Sequence, residues 1–262
     1  MSRTLRRWLK ILVSGALFAL LAIGGALASF LVLPFLALRR GDPAAAQARS
    51  ARMISRFFRG FVLGLEGSGI LRVEAEDLPG MEALGGSLVL ADHPSYLDIV
   101  ILIALLPGAI CVVKEGVWRN PFFGPLVRSA GFIPNIDPER TLASGQAALA
   151  AGKTLIIFPD GTRTLPGQRR RFHRGSAHLA LASGAPIFAF HITADPPLLA
   201  KGHRWYHIPA ETVVFRIRSA RALPRPEGLP AGDPLGRRSR RLTQALEGLF
   251  QQAPHDAPRH AP

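Results

Sequence analysis

The sequence predicts a single α/β domain with a largely parallel central sheet covered by helices, preceded by an amino-terminal membrane helix. Three observations carry this. Short β-rich runs alternate with segments of helical character, those runs are apolar nearly throughout, and a long uncharged stretch leads the chain. With 262 residues and 48% hydrophobic composition there is ample material for a core, so disorder is excluded for most of the chain.

The first element follows RTLRRWLK. Residues 11–38 contain no charge and number roughly 28, where one bilayer span needs about 20. Ala26-Leu27-Ala28 has the small-residue spacing of a cleavage site, but the apolar run continues past it into FLVLPFLAL, which favours a retained membrane segment over residues 1–40. A re-entrant hairpin broken at Gly24-Gly25 is the alternative. Arg3, Arg6, Arg7 and Lys10 flank one end and Arg39 and Arg40 the other, so charge gives no clean vote on orientation. In residues 41–68, Met53, Ile54, Phe57, Phe58, Phe61, Val62 and Leu65 recur at helical spacing, with Arg49, Arg52, Arg56 and Arg59 on another face. Such a helix suits the headgroup layer or packs its Phe face on the domain.

The central region, residues 69–222, holds the β-rich runs ILRVEA, SLVLAD, AICVV, TLIIF, PIFAF and TVVFRI. Between them lie LDIVILIALL, PFFGPLVRSAG, ERTLASGQAALAAG and GSAHLALASG. Residues 223–262 read as a proline-rich linker, a peripheral basic amphipathic helix (GRRSRRLTQALEGLF) and a disordered tail. The net charge of +14 suits a polyanionic partner: nucleic acid, anionic lipid or an acidic carrier. Nucleic acid fits poorly, because aromatics do not interleave with the basic residues and a membrane segment leads the chain. Cys111, the single cysteine, sits in an apolar run and reads as a buried small hydrophobe. No Gly-rich dinucleotide motif, Walker loop or G-x-S-x-G elbow is present.

Two motifs carry chemistry. In ADHPSYLD, His93 follows the run SLVL, at the carboxyl end of a predicted strand where α/β sheets gather ligand-binding residues, and Pro94 suits the first turn of the next helix. Asp98 then falls in or just past that turn, within reach of the imidazole. A carboxylate on one ring nitrogen fixes the tautomer and leaves the other to take a proton from a hydroxyl; the competing reading is a helix-capping aspartate beside a structural histidine. In TLIIFPDGTRT, a second strand ends in Asp160 and Gly161, followed by Thr162 and Arg163. Gly161 permits close backbone approach, Thr162 offers a hydroxyl, and Arg163 a planar fork for phosphate oxygens.

HPSYLD together with FPDGTRT resembles the motifs of the glycerophospholipid (lysophospholipid) acyltransferase family, N-H-x-x-x-x-D and F-P-E-G-T-R, over about residues 70–215. The resemblance implies acyl transfer from a thioester, acyl-CoA or acyl-ACP as cosubstrate with no bound cofactor or metal, to a hydroxyl of a lysophospholipid or related lipid. It assigns the base to His93, its partner to Asp98, and phosphate contact to Asp160, Gly161, Thr162 and Arg163. Lys114 opens a block, VVKEGVWRNPFFGPLVRSAGFIPNID, that is similar to another family motif, and Lys114 is a candidate oxyanion donor. Asn135 stands where many members have an arginine for the acceptor phosphate, which argues against lysophosphatidic acid. KEGVWRNPF, AGFIPN and KGHRWYHIP are similar to a bacterial subgroup accompanying aryl polyene or fatty-acid-like biosynthesis, implying an acyl carrier protein as donor and partner. Both donors are made in the cytosol, so the resemblance implies an inner-membrane protein with its catalytic domain facing the cytoplasm.

Other features are weaker. His203 and His207 have metal-like spacing, but Pro209 and the lack of a nearby carboxylate favour a polar loop. Arg169, Arg170, Arg171 and Arg174 could engage headgroups, coenzyme phosphates or an acidic carrier, or form a solvated basic loop. The alternative to an enzyme is a membrane-tethered, catalytically inactive module recruiting an acidic carrier protein; an intact His93/Asp98 pair disfavours it.

Overall fold

The computed structural model describes residues 3–32, 42–164, 171–220 and 233–252. Residues 223–232 of the expected linker, the tail after residue 252 and Arg169 and Arg170 lie outside the described residues. Helix α1 (Arg3–Leu27) runs on into a π-helical turn (Ala28–Val32). Helix α2 (Pro43–Gly67) starts at Asp42, whose carboxylate accepts from the Ala44 and Ala45 N–H groups, with Pro43 in the first turn. Then follow β1 (Leu71–Glu76), α3 (Met81–Leu84), β2 (Leu88–Ala91), α4 (Asp98–Leu105), β3 (Ile110–Lys114), α5 (Glu115–Trp118), α6 (Gly124–Ser129), β4 (Ile133–Asn135) and α7 (Pro138–Ala150). The chain continues through β5 (Leu155–Ile157), α8 (Arg174–Ser183), β6 (Ile187–Asp195), β7 (Val213–Ala220) and α9 (Leu235–Gln252).

The seven strands form one sheet in the order β1-β7-β6-β2-β5-β3-β4. Every pairing is parallel except β6 with β7. The largely parallel sheet therefore holds, with β1 and β7 running against the rest. β2 lies centrally between β5 and β6, and all four of its residues are buried, as a strand covered on both faces must be. Helix α2 packs on α4 and α6, while α8 packs on α7 and α9, giving the two covering layers.

Helix α1 is continuous through Gly24-Gly25, so these glycines do not break it. They are notches. A Cβ on Gly24 would fall 2.4 Å from the Phe57 ring and one on Gly25 2.4 Å from Phe123, while Leu17 fills a similar notch at Gly64. Phe18 packs on Phe61, so α1 runs antiparallel to α2. Both ends are tied to the domain: Lys10 Nζ donates to the Ala210 and Glu211 carbonyls, and Ser29 Oγ donates to the Phe122 carbonyl. The outward side of α1 stays uncovered, with Leu12, Leu20, Ile23, Phe30 and Leu31 all more than half exposed. Thr4–Leu31 is long and apolar enough to cross a membrane. On α2 the expected two-faced helix is present: Ile54, Phe61, Val62 and Leu65 are buried, and Arg49, Arg52, Arg56 and Arg59 are exposed.

Candidate active site

Parallel β2, β5, β3 and β4 bring their carboxyl ends to one sheet edge, so two motifs far apart in sequence meet there. His93 lies two residues past β2, and Asp98 is the first residue of α4. Their side chains touch, His93 Nδ1 to Asp98 Oδ2 at 3.0 Å. The helix starts four residues after Pro94 rather than at it, because the Ser95 side chain shapes the intervening turn. Ser95 Oγ donates to the Leu198 carbonyl at 2.7 Å and accepts from the Leu97 N–H, while the Ser95 N–H donates to Asp98 Oδ2 at 2.7 Å.

Asp98 is wholly buried, and its Oδ1 finds no hydrogen-bond partner among the described residues. Burial pushes its carboxyl up to about 6, and nearby Asp92 adds to this against the hydrogen bonds from His93 and Ser95. The His93 side chain is 18% exposed, so the ring has an outlet. One face of the imidazole stacks on Phe158, centroids 4.3 Å apart and planes 25° apart. With Nδ1 engaged by the carboxylate, Nε2 is the nitrogen left to exchange a proton.

The second motif folds over the first. The Thr164 N–H donates to the His93 carbonyl, and Thr164 Oγ1 donates to Asp160 Oδ2, tying the two strand ends together. Gly161 has φ +62 and its N–H bonds back to the Phe158 carbonyl; a Cβ there would fall 2.9 Å from the His173 ring, so glycine is required on both counts. Thr162 is exposed at the loop crest. Arg163 is half-buried, with its guanidinium carbon 3.5 Å from the Tyr96 ring centroid and Nη1 donating to the Leu199 and Ala200 carbonyls. Leu199 holds φ +50, a conformation rare for leucine, and its carbonyl also accepts from the Tyr96 N–H. The guanidinium is thus fixed by one nitrogen and a ring face, which leaves the rest of its donor fork for an anion.

Lys114 is not drawn into this cluster. It is exposed at the end of β3, and β5 separates its strand from β2, a lateral offset of about 10 Å at ordinary strand spacing. Asn135 is exposed at the end of β4, one strand further out. His203 and His207 stand 5.9 Å apart between ring centroids, and no group of three metal-ligating side chains occurs among the described residues. Cys111 is buried, which raises its thiol well above the ordinary range. Ser95, Tyr96, Phe158 and His173 join the site without having been singled out from sequence. Ser95 and Tyr96 lie inside the first motif and Phe158 opens the second, so their positions were the available signal.

The family model described as Acyltransferase matches residues 72–193, which contain both motifs. The 1-acyl-sn-glycerol-3-phosphate acyltransferase of Cocos nucifera is 30% identical over 114 residues, 41% of this chain and 37% of that protein. The enzyme of the same name from Escherichia coli strain K12 is 29% identical over 124 residues, 45% of this chain and 51% of that one. Over the segment that holds both motifs the chain is similar to the glycerophospholipid acyltransferases. Its match spans less than two thirds of these relatives' length; the Limnanthes alba enzyme, at 28% identity, is spanned to 66%. In fold, the chain resembles the crystal structure of the 1-acyl-sn-glycerophosphate acyltransferase from Thermotoga maritima, with TM-score 0.66 and 21% identity, covering 97% of this chain and all of that one. The α/β sheet with an apolar amino-terminal helix is that fold.

Proposed function

We propose that the chain is a membrane-bound O-acyltransferase that moves a fatty acyl chain from an acyl thioester to a hydroxyl of a lysophospholipid or related lipid. The observation that carries this reading is the 3.0 Å contact of His93 Nδ1 with buried Asp98, which leaves Nε2 for the acceptor. The alcohol gives its proton to Nε2 as its oxygen attacks the thioester carbonyl. Asp98 stabilises the imidazolium that results. Collapse of the tetrahedral intermediate breaks the C–S bond, and the thiolate takes the proton from Nε2, so an ester and a free thiol leave with His93 restored. General-base assistance supplies roughly 10²- to 10⁴-fold, with the remainder from positioning and oxyanion stabilisation.

The loop Asp160-Gly161-Thr162-Arg163 is the acceptor's headgroup contact in this reading, with Arg163 presenting its unused N–H groups to phosphate. Lys114, two strands away, is better disposed toward a distant anionic part of a substrate than toward the reacting carbonyl. Neutral Asn135 at the sheet edge favours acceptors other than lysophosphatidic acid, although the curated relatives are named for 1-acyl-sn-glycerol-3-phosphate. The exposed apolar side of α1 supports membrane association, and the ties at Lys10 and Ser29 favour a helix lying along the domain with that side against lipid. An acyl carrier protein donor, an inner-membrane location and a cytoplasmic face belong to the same proposal and draw on the net charge of +14 and on where thioesters are made.

The test is a balance. Purified full-length protein in mixed micelles is given acyl-CoA or acyl-ACP with a panel of lysolipids. Free thiol and acylated lipid appear in equal amounts if the reading is right. Thiol release without acylated lipid would make the chain a thioesterase, and binding without release would make it a recruiting module.

A further inference from the structure

Away from the sheet-edge motifs, a concave region opens where residues 196–211 meet the start of α1. A cleft of about 680 Å³ opens there between Arg7, Trp8 and Ile11 on one side and Trp205, Tyr206 and His207 on the other. A neighbouring hollow of about 380 Å³ shares Arg7 and His207 and brings in Glu211, the one acidic residue lining either space among the described residues. The walls combine indoles, an aliphatic side chain and a guanidinium, which suits a ligand that is apolar at one end and anionic at the other.

Its surroundings have the same character. Trp205 rests against Gly15 yet remains 53% exposed, and Trp8 is 61% exposed. Leu5, Leu9 and Leu12 carry the exposed apolar surface onward along α1. Arg6, Lys201 and Arg204, each within three residues in sequence of a lining residue, are also exposed. Aromatic rings between an apolar helix and a basic cluster mark the depth of lipid headgroups. The same segment, residues 196–211, supplies at its inner end the Leu198, Leu199 and Ala200 carbonyls that hold Ser95 and Arg163.

We infer that this cleft binds the headgroup phosphate of an anionic bilayer phospholipid that is not the substrate, with Arg7 and His207 facing the phosphate and Trp8 and Trp205 flanking the glycerol and upper acyl chain. The inference rests on the membrane association proposed above and is independent of the acyl-transfer reading. Occupancy ties α1 to the segment that anchors Arg163.

Two measurements on the full chain test it. In the first, short-chain phosphatidylglycerol is titrated below its micelle concentration onto detergent-solubilised protein, followed by tryptophan fluorescence. Saturable binding that weakens roughly fivefold in R7Q and is unchanged in R49Q supports the site, about what one basic group near an anionic surface contributes. Equal loss in both variants, or equal binding of glycerol phosphate without acyl chains, would overturn a phospholipid site. In the second, partition into equimolar phosphatidylcholine and phosphatidylglycerol vesicles is compared with phosphatidylcholine alone. R7Q should lose affinity only for the anionic vesicles, with acyl transfer in lipid-free detergent unchanged. Failure of wild type to join any vesicle would overturn the membrane reading and this site together; vesicle binding indifferent to R7Q would overturn the site alone.

Discussion

Two histidine-aspartate pairs sit side by side at the middle of the sheet, and only one has the geometry that the proposed proton transfer needs. His93 meets Asp98 at 3.0 Å, and the carboxylate is pinned by the Ser95 N–H at 2.7 Å. His191, within β6, has its Nδ1 3.5 Å from Asp92 Oδ2, beyond a good hydrogen bond, and that carboxylate oxygen is taken at 3.2 Å by the Ile192 N–H. The His93 ring lies past the end of its strand on a Phe158 platform beside the loop of residues 160–163. The His191 ring is held mid-strand against Phe250 of α9, centroids 4.7 Å apart. Burial separates them little, with side chains 18% and 14% exposed. Residue type and burial therefore do not distinguish the two histidines; an oriented carboxylate and a place at the strand end do.

Substitutions should widen this difference. His93→Ala is expected to lower kcat/KM by roughly 10³- to 10⁴-fold with the fold intact, read by thiol release and by the thermal midpoint. Asp98→Asn should cost roughly 10²-fold or more, because the amide can hold the wrong tautomer. Wild-type kcat/KM should rise with pH through about 6 as buried Asp98 loses its proton and becomes the carboxylate that orients His93. The stability consequence has the opposite direction. A carboxyl raised from 3.8 to about 6 binds its proton longer in the folded state, so its stabilising effect is complete below pH 3.8 and lost as pH climbs through about 6. Thermal melts should therefore show Asp98→Asn gaining on wild type between those values and running parallel above them.

Phe158→Ala should reduce turnover roughly fivefold, about 1 kcal/mol for one lost ring contact, with the acceptor KM unchanged. His191→Phe is expected to leave kcat/KM within about threefold and to alter stability by about 1 kcal/mol, measured by denaturant unfolding. A loss at His191 as large as that at His93 would break the comparison.

Much of the fold was legible because the strands flanking the site are short uninterrupted apolar runs, which β2 needs to be buried on both faces. β4 was not: Ile133-Pro134-Asn135 is three residues with a proline, readable only once its parallel partner β3 is in place. The antiparallel pairing of β6 with β7 leaves no mark on periodicity, since alternation serves either direction. Gly24 and Gly25 left a re-entrant break open as the alternative to a span, yet they are spaces for Phe57 and Phe123. At the site, the five-residue spacing within one motif made the His93 contact with Asp98 readable. Tyr96 under Arg163, Phe158 under His93 and His173 over Gly161 depend on chain crossings that no local pattern records.

The central claim is that Asp98 holds His93 protonated at Nδ1 with Nε2 bare. Nitrogen-15 spectra of the imidazoles, with His93 assigned by its loss in the alanine variant, test this directly above pH 7. The account predicts a protonated Nδ1 that hydrogen-bonds and an unprotonated Nε2, a pattern that Asp98→Asn scrambles. A proton resident on Nε2 in the wild type, or a tautomer indifferent to Asp98, would contradict it.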